Sequence, residues 1–335
     1  MNIIIPMAGR GSRLRPHTLT TPKPLISFAG KSIVQRLVED IVNVCNEKID
    51  EIAFIIGDFG EQVENDLLDI ASSLGAQGQI VYQDKPLGTA HAILCARNSL
   101  KGNVVVAFAD TLFKADFTLN KNHDGIIWVN KIEDPSAFGV VKVNDQKIIT
   151  DFVEKPEKFV SDLAIIGIYY FKSGENLENE LQYLIDNNIK DKGEYQLTNA
   201  LENMKNKGLR FTTGEVDEWL DCGNKDATVY TCKRVLEHNK SINLVDKEVK
   251  ILDSDIIPPC FIGPGVILQN SSVGPHVSIG SGTKIANSKI TASIIQNNST
   301  IDNAKLKNSM IGNNVYYDGR NLSQEISIGD FCEIK

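Results

Sequence analysis

Residues 3 to 16 read Ile-Ile-Ile-Pro-Met-Ala-Gly-Arg-Gly-Ser-Arg-Leu-Arg-Pro, and residues 22 to 25 read Pro-Lys-Pro-Leu. An apolar run with high β propensity leads directly into a turn with two glycines, and cationic side chains follow at positions 10, 13, 15 and 23. Glycines allow backbone N–H groups to approach phosphate oxygens closely. In a chain with a net charge of −8, this local positive charge predicts a site for a small polyanion.

Two well-known phosphate-binding motifs are absent from this stretch. A dinucleotide-binding loop requires a third glycine at position 14, where the chain has Leu14. A Walker loop ending in Gly30-Lys31-Ser32 requires a glycine at position 25, where the chain has Leu25. The glycine turn alone is equally compatible with a structural role, so its assignment depends on the residues around it.

Length and composition limit the class of protein. A chain of 335 residues predicts two domains, and 42% hydrophobic with 23% charged residues are typical of a globular protein. No apolar run reaches the ~18 residues of a membrane span, and the start of the chain does not resemble a signal peptide, so a cytoplasmic location is expected. Six scattered cysteines without a Cys-x-x-Cys pair argue against a zinc site and a disulfide framework. A pI near 5.3 disfavours nucleic acid as a partner.

Short apolar runs alternate with helical patterns from residue 1 to about residue 240. The predicted strands are Ile3–Met7, Glu51–Ile56, Gln79–Tyr82, Val104–Ala109, Gly125–Asn130 and Ile166–Phe171. The predicted helices are Ser32–Cys45, with Ser32 as its N-cap, Glu61–Leu74 and Thr89–Ser99. The alternation predicts an α/β domain over residues 1–240 with a Rossmann-like, mostly parallel sheet. Ligands bind beyond the carboxyl ends of such strands, where Gly9–Arg13 and Asp110 fall.

The pattern changes at about residue 250, where asparagine, serine and glycine become frequent. Single apolar residues then recur in steps of five or six, at Ile262, Leu268, Val273, Ile279, Ile285, Ile290, Ile295, Ile301, Leu306 and Ile311. A period this short predicts a parallel β-helix of hexapeptide-like repeats over residues 250–335, in which each apolar side chain stacks on the one a coil below. An Asn/Ser-rich linker would not keep such a period.

The opening stretch, written as Gly-x-Gly-[Ser/Thr]-Arg-Leu-x-Pro-x-Thr followed by Pro-Lys-Pro-Leu, closely resembles the signature of the sugar-1-phosphate nucleotidylyltransferases. These enzymes join a nucleoside triphosphate to a sugar 1-phosphate and release pyrophosphate. The resemblance implies that Arg13 and Lys23 are catalytic, because phosphoryl chemistry of this kind needs positioning and positive charge. It also implies a left-handed β-helix, a nucleotide-diphospho-sugar transferase type of sheet, and nucleotide contacts from Ala8, Gly9, Gly11 and Ser12.

A second stretch is similar to the segment with which this family reads the base. It consists of Gln83 and, shortly after it, Pro-Leu-Gly-Thr-Ala at residues 86–90. In the family, a glutamine amide and a glycine N–H address the edge of the base. The resemblance implies nucleotide contacts from Gln83, Gly88 and Thr89. By itself, the segment is equally a polar loop before a helix.

Two aspartates resemble the metal ligands of the family. Asp110 ends the apolar run Val104–Ala109, and Asp221 lies in Trp-Leu-Asp-Cys-Gly, which is similar to the family's Trp-x-Asp-x-Gly. The resemblance implies that both bind Mg²⁺ and that Asp110 is catalytic. Mg²⁺ takes one or two carboxylates and otherwise keeps waters and substrate phosphates. Thr111 stands where the family often has asparagine, which is a departure from the pattern.

Three motifs resemble the family's sugar-phosphate site. Glu154-Lys155-Pro156 matches a Glu-Lys-Pro in which the glutamate receives sugar hydroxyls and the lysine receives the phosphate. Gly139, which follows Phe138, matches a glycine whose amide faces the sugar, and Gly167 matches a further glycine that lines the pocket. Residues 192–198, Lys-Gly-Glu-Tyr-Gln-Leu-Thr, resemble a loop before a helix and are interpreted as partly structural.

Two residues favour the glucose-1-phosphate thymidylyltransferases within this family. Relatives that form UDP-N-acetylglucosamine tend to carry asparagine at the positions of Ile165 and Asp221. The expected substrates are therefore dTTP and glucose 1-phosphate. UTP- or GTP-dependent enzymes, the uridylyl- and mannose-1-phosphate guanylyltransferases, share the signature and stay open. A catalytically silent regulatory homologue is a further alternative, although the chain retains Arg13, Lys23, Asp110 and Asp221.

The β-helix has three possible roles. A homo-oligomer is expected, with the β-helix as an assembly or regulatory module. Hexapeptide solenoids also host acyltransferases, but those domains are usually longer, and His276, the one histidine of the repeat, has no supporting motif. The histidines of the chain show no metal-ligand spacing.

Overall fold

The computed structural model of the chain describes residues 1–45, 47–115, 119, 122–320 and 325–335. The strands before residue 240 are β1 (Asn2–Pro6), β2 (Ser27–Phe28), β3 (Lys31–Ser32), β4 (Glu51–Ile56), β5 (Gln77–Tyr82), β6 (Val104–Ala107), β7 (Thr111–Lys114), β8 (Gly125–Lys131), β9 (Val140–Val143), β10 (Ile149–Val153), β11 (Leu163–Phe171), β12 (Phe211–Glu215) and β13 (Glu218–Asp221). The helices are α1 (Ile33–Cys45), α2 (Glu61–Ser73), α3 (Thr89–Cys95), α4 (Gly174–Asp186), α5 (Leu197–Asn206) and α6 (Lys225–His238). Single 3-10 turns cover Ser12–Leu14, His17–Leu19, Lys23–Leu25 and Arg97–Ser99.

The chain divides into two compact units. The sheet unit contains residues 1–9 and 37–219, and the solenoid unit contains residues 10–36 and 220–335. The segment that carries most of the opening signature therefore belongs with the C-terminal part of the chain. The boundary expected between residues 240 and 250 stays a prediction.

The sheet unit is built on a nine-stranded sheet. β1 pairs in parallel with β4 on one side and β6 on the other, and β5 extends the parallel part beside β4. The predicted parallel sheet is confirmed for these four strands. Beyond β6, β11 runs antiparallel to β6 and pairs antiparallel with β8 and β9. β9 and β10 form an antiparallel hairpin at the edge of this part of the sheet, a connection that needs only a short turn.

The predicted helices are confirmed, with small changes at their ends. Ser32 Oγ accepts a hydrogen bond from Gln35 N at 3.3 Å, which confirms Ser32 as the cap of α1. The third predicted helix ends at Cys95 and continues as a 3-10 turn. Residues 3–5 of β1 and all of β6 are apolar and buried, as expected for the central strands of a parallel sheet. Across the described ranges, no helix combines the length and the apolarity needed to cross a membrane.

The remaining strands form the solenoid. They are β14 (Leu244–Val245), β15 (Lys250–Leu252), β16 (Asp255–Ile256), β17 (Cys260–Ile262), β18 (Ile267–Gln269), β19 (Ser272–Val273), β20 (Val277–Ile279), β21 (Lys284–Ala286), β22 (Lys289–Thr291), β23 (Ser293–Ile295), β24 (Thr300–Asp302), β25 (Lys305–Lys307), β26 (Met310–Ile311), β27 (Tyr316–Asp318), β28 (Ser327–Ile328) and β29 (Glu333–Ile334).

These strands stack into three parallel ladders of six, six and four strands. Residues that lie above one another are 16 or 17 positions apart, so the predicted step of five or six residues is one third of a coil. All ten predicted core positions are buried, and none is more than 3% exposed. The parallel β-helix is thus confirmed, while its left hand stays a prediction.

Asparagines turn the corners of this solenoid. Asn270, Asn287 and Asn303 have φ values of 46°, 49° and 51°, in the left-handed region that asparagine tolerates better than most residues. Asn270 Nδ2 donates to Asn287 Oδ1 one coil away at 2.9 Å. The shift in composition after residue 250 therefore has a structural cause, because the corners need residues that accept this backbone.

Candidate active site

Asp110 lies just beyond the carboxyl end of β6, where the sequence predicts a ligand-binding carboxylate. Phe108 N donates to Gly167 O at 2.9 Å, and Thr111 N donates to Phe108 O at 3.3 Å. Gly167 has a φ of 86°, and a Cβ on it would lie 3.7 Å from Thr111 Oγ1. These contacts bring the predicted metal-binding Asp110 close to Gly167, one of the predicted sugar-binding residues.

A buried tyrosine connects two of the predicted carboxylates. The pKa of Tyr169 is raised, first by burial and then by the negative charges of Glu154 and Asp110. Both carboxylates therefore act on the same buried side chain of the sheet unit.

Gly139, Glu154, Ile165 and Thr198 form a compact cluster, the sugar corner. A Cβ on Gly139 would lie 3.1 Å from Glu154 Oε2, 3.2 Å from Thr198 Cγ2 and 3.3 Å from Ile165 Cδ1. Thr198 Oγ1 donates to Glu154 Oε2 at 3.0 Å, and Ile165 N donates to Gly139 O at 2.8 Å. A side chain at position 139 would press on the carboxylate, so the glycine keeps space open beside Glu154.

Lys155 places a cation next to the sugar corner. Its N–H donates to Phe138 O at 3.1 Å, and its Nζ lies 3.4 Å from Glu154 Oε1. The Lys155 side chain is about half exposed, so its ammonium reaches solvent while the carboxylate holds it near the corner. Lys192 Nζ donates to Lys155 O at 3.1 Å and adds a second cation. Two cations beside a carboxylate suit the phosphate and the hydroxyls of a sugar phosphate.

Gln83, at the end of β5, has an amide with a defined orientation. Its Nε2 donates to Gly88 O at 3.3 Å and to His91 Nδ1 at 3.2 Å. The second bond requires a neutral ring with an unprotonated Nδ1. Burial, followed by the positive charge of Lys85, lowers the pKa of His91 and so favours this neutral form. Two residues that the resemblance implies near the base, Gln83 and Gly88, are therefore joined to each other and to His91.

A short stretch of backbone ties this base-reading segment to the sugar corner. Leu197 N donates to Thr89 Oγ1 at 2.9 Å. Gly88 has a φ of 116°, and a Cβ on it would lie 2.7 Å from Tyr195 N, so only glycine fits against this backbone. The next residue after Leu197 is Thr198, which binds Glu154. One segment thus positions both predicted subsites of the sheet unit.

The signature loop, defined as residues 10–25, lies in the solenoid unit. Gly11 has a φ of 58°, and a Cβ on it would lie 2.9 Å from Lys23 Cβ and 3.0 Å from Thr18 Cγ2. Thr18 Oγ1 donates to Gly11 O at 2.8 Å. Lys23 is only 8% exposed. The glycine therefore lets two turns of the loop pack together, which holds the base of the Lys23 side chain in a fixed place.

The other predicted nucleotide ligands of this stretch are divided between the two units. Ser12 and Arg13 are exposed on the 3-10 turn Ser12–Leu14, which Leu14 anchors with a fully buried side chain. Ala8 and Gly9 follow β1 in the sheet unit, and nothing lies within 4 Å of a Cβ on Gly9. Of the predicted catalytic residues, Asp110 belongs to the sheet unit, and Arg13 and Lys23 belong to the solenoid unit.

Asp221 is held by its own turn in the solenoid unit. Its Oδ1 accepts from Gly223 N at 2.9 Å, and Thr231 Oγ1 donates to its backbone O at 2.8 Å. Within the described part of the chain, no three or more histidine, cysteine or acidic side chains cluster as a metal site. Mg²⁺ does not need such a cluster, because one or two carboxylates suffice when phosphates and waters complete its shell. The donor chemistry of Asp110 and Asp221 fits this ion.

Three residues of this site were not singled out from the sequence. Thr198 and Lys192 lie in the 192–198 stretch, which resembles a family loop but was interpreted as partly structural. His91 sits on α3 and meets Gln83 through the helix turn. A sequence signal existed for the first two, in the matched motif, whereas a helical histidine near a glutamine carries none.

His276 has a partner that its sequence surroundings do not reveal. Its Nε2 hydrogen-bonds Glu237 Oε1 on α6, and this bond lowers the pKa of Glu237. Both residues belong to the solenoid unit. The contact ties α6 to the solenoid, which accounts for this histidine without an acyltransferase role.

Comparisons with known proteins agree on one class. A family model described as Nucleotidyl transferase matches residues 2–237. A glucose-1-phosphate thymidylyltransferase of Streptomyces antibioticus is 28% identical over 325 residues, which cover 90% of this chain and 88% of that protein. A mannose-1-phosphate guanylyltransferase catalytic subunit beta of Drosophila pseudoobscura pseudoobscura is 30% identical over 295 residues, 84% of this chain and 71% of that protein. A solved nucleoside-diphosphate-sugar pyrophosphorylase of Vibrio cholerae RC9 shares the fold, with a TM-score of 0.60 and 20% identity over 68% of this chain and 98% of that one.

Proposed function

The chain belongs to the nucleotidyl transferase family, and from this premise we propose that it joins dTTP to glucose 1-phosphate, releasing pyrophosphate. Transfer of a nucleotidyl group to a sugar 1-phosphate is the activity that the names of its relatives share. The thymidylyltransferase match supports the choice of substrates, because it covers 90% of this chain and 88% of that protein. The observation that carries the choice of sugar is the position of Ile165.

Ile165 gives the sugar corner an apolar wall. Its Cδ1 would meet a Cβ on Gly139 at 3.3 Å, on the side of the open space next to Glu154. An asparagine in this place, as relatives that form UDP-N-acetylglucosamine tend to have, offers an amide to an acetamido group. Isoleucine offers no hydrogen bond. The corner therefore suits a hexose with plain hydroxyls, which Glu154 and the Gly139 amide can bind.

The orientation of the Gln83 side-chain amide favours a nucleobase that carries a ring N–H. Because its Nε2 donates to Gly88 O and to His91 Nδ1, Oε1 is the atom of the amide that can accept from a nucleobase. Thymine, uracil and guanine each carry a ring N–H that fits this acceptor, whereas adenine does not. The orientation thus favours dTTP, UTP or GTP over ATP.

The proposed reaction needs no protein nucleophile. A phosphate oxygen of the sugar 1-phosphate, already ionised at neutral pH, attacks the α-phosphorus in line, and the bond to the pyrophosphate oxygen breaks. Arg13 and Lys23 hold the triphosphate and balance the charge that builds up on its oxygens. Lys155 holds the sugar phosphate, and Glu154 orients the sugar. These roles explain why the signature combines glycines with cations.

Asp110 and Asp221 are proposed to hold a divalent cation, Mg²⁺, which supplies further positive charge to the phosphates when bound. Asp110→Asn with Asp221→Asn keeps the size of both side chains but removes both charges. We expect the Mg²⁺ concentration for half-maximal activity to rise by about 10²-fold, while melting of the chain without metal changes little. An unchanged Mg²⁺ titration in the double variant would place the metal elsewhere.

A pyrophosphate-release assay tests the whole proposal. It crosses dTTP, UTP, GTP, ATP and CTP with the 1-phosphates of glucose, mannose, galactose and N-acetylglucosamine. The highest kcat/KM is expected for dTTP with glucose 1-phosphate. A maximum for GTP with mannose 1-phosphate would favour the guanylyl alternative, and no turnover with any pair would favour a silent regulatory homologue. Homo-oligomerisation stays a prediction, which light scattering of the same preparation tests.

A further inference from the structure

One face of the solenoid is covered although it points away from the solenoid core. The first ladder aligns Phe261, Ser278, Ile294, Met310 and Ser327 in register, one residue per coil. Their neighbours on the strands point inward, so alternation along a strand directs these side chains outward. Ile294 and Met310 are nevertheless fully buried, and Ser278 is 3% exposed. Another part of the solenoid unit therefore lies on this face.

The chain just after the signature loop covers the middle of this face. Ala29 N donates to Ser278 Oγ at 2.8 Å, and Gln296 Nε2 donates to Ser27 O at 2.8 Å. Gly30 packs so closely that a Cβ on it would lie 2.7 Å from the Phe261 ring. These contacts are long-range in sequence and join β2 and its turn directly to the solenoid.

The last coil holds the signature loop itself. Thr20 Oγ1 donates to Asp330 Oδ2 at 2.7 Å, and His17 Nε2 lies 3.0 Å from Ser327 Oγ. Asp330 is in turn oriented by the coil before it, because its Oδ1 accepts from Asn313 N at 2.7 Å. The carboxylate that receives the Thr20 hydroxyl is therefore a fixed part of the solenoid.

These two groups of contacts lie on either side of Lys23 in the sequence and define a bracket from Thr20 to Ser27. The lysine lies in the chain between Thr20, held by the last coil, and Ser27, held by the middle of the same ladder. Inside this bracket, the only regular structure is the short turn Lys23–Leu25. A loop without strands of its own depends on such external contacts for a defined shape.

We propose that the outer face of the first ladder is a platform that positions the signature loop for nucleotidyl transfer, with Thr20 and Asp330 as its positioning residues. The effect on transfer rests on the function proposed above, whereas the effect on the loop does not. The solenoid is then part of the support of the active site. This assigns it a role besides the assembly or regulation that the sequence favours.

Matched variants of the full chain test the platform. Thr20→Val removes only the hydroxyl that Asp330 receives, and Thr20→Ser restores it. Asp330→Ala removes the carboxylate. Asp302→Ala is the control, because Asp302 also accepts a bond from an asparagine of the preceding coil, Asn287, but belongs to the second ladder and not to the first. Asp330→Ala and Asp302→Ala thus each remove a hydrogen bond between coils, and only Asp330→Ala also removes the hydrogen bond to the signature loop.

Two readouts separate the platform from the proposed reaction. The first is steady-state kinetics, in which Thr20→Val and Asp330→Ala are expected to lower kcat about tenfold with little change in the KM of the sugar 1-phosphate. Thr20→Ser and Asp302→Ala should stay within about twofold of the parent. The second is the rate of tryptic cleavage after the exposed Arg10 and Arg13, which needs no substrate. Cleavage there should quicken several-fold in the same two variants alone.

The outcomes decide between the two claims. If the parent chain releases no pyrophosphate with any substrate pair, the proposed reaction fails, and the cleavage rates still decide the platform. Equal cleavage and equal kcat in Thr20→Val, Asp330→Ala and Asp302→Ala would overturn the platform. Loss of activity in Thr20→Ser as large as in Thr20→Val would also overturn it, because the hydroxyl would then not be the group that matters.

Discussion

The sugar corner and the signature loop hold their charged groups by different means. In the corner, the Glu154 carboxylate is fixed by Thr198 at the start of α5 and by the close approach of Gly139, all within the sheet unit. In the loop, Lys23 is packed against Gly11, and the loop around it is held by hydrogen bonds to residues about 310 positions away. Strands and a helix support the corner from close by, whereas the loop, made of single 3-10 turns, depends on a distant ladder. The corner should therefore tolerate distant changes that the loop does not.

Lys23→Ala should have the largest effect. Because this lysine is only 8% exposed at the contact between two turns, its truncation removes a positive charge that the loop holds in a fixed place. We expect pyrophosphate release to fall about 10³-fold, with an unchanged circular dichroism spectrum. Lys31→Ala, which removes a half-buried lysine of the same unit, is the control. Activity of Lys23→Ala within tenfold of the parent would remove Lys23 from the catalytic set.

Gly11→Ala should follow, because it disturbs the same lysine through the backbone. The added Cβ would need a φ of 58° and would lie 2.9 Å from Lys23 Cβ. We expect kcat to fall about 10²-fold through misplacement of the lysine. Gly265→Ala is the matched control, since Gly265 has a φ of 69° but nothing closer than 3.8 Å to its Cβ position. Equal losses in both variants would trace the effect to backbone strain and not to the contact with Lys23.

Thr198→Val tests the other side of the comparison. It removes the hydroxyl that donates to Glu154 and leaves the shape of the side chain, so Glu154 loses its orientation. The KM of the sugar 1-phosphate should rise about tenfold, with little change in the KM of the nucleoside triphosphate. Thr198→Ser should restore the parent value. A rise in the KM of the nucleoside triphosphate of the same size would mean that the sugar corner and the predicted base-reading segment act as one site.

The sequence predicts these two regions to different depths. The solenoid could be predicted almost completely. Each third of a coil points one apolar side chain inward, so apolar residues such as Ile285, Ile290 and Ile295 recur in the sequence every five or six positions. The parallel strands could be predicted from continuous apolar runs. The antiparallel part of the sheet could not be predicted, because the sequence of a buried strand such as β11 does not indicate the direction of the neighbouring strand. The Glu-Lys-Pro motif predicts a role in the site for Glu154. The contact between Glu154 and Thr198 could not be predicted, because it depends on the fold.

The last effect concerns the stability of the last coil in acid, with little change in activity at neutral pH. Burial lowers the pKa of His17 to about 4, against the opposing charge of Asp330. Above pH 6.5 the ring is neutral in both the folded and the unfolded chain. As the pH falls from 6.5 to 4, the unfolded chain binds a proton that the folded chain does not, so stability is lost across this window, by about 3 kcal/mol at its lower end. We expect His17→Gln to reduce the dependence of the urea unfolding midpoint on pH between pH 4 and 6.5. Ser327→Ala, which keeps the imidazole ring, should lower the midpoint at every pH without changing that dependence. A slope that survives in His17→Gln would assign the acid sensitivity to other groups, and the hold of the last coil on the loop would then be independent of pH.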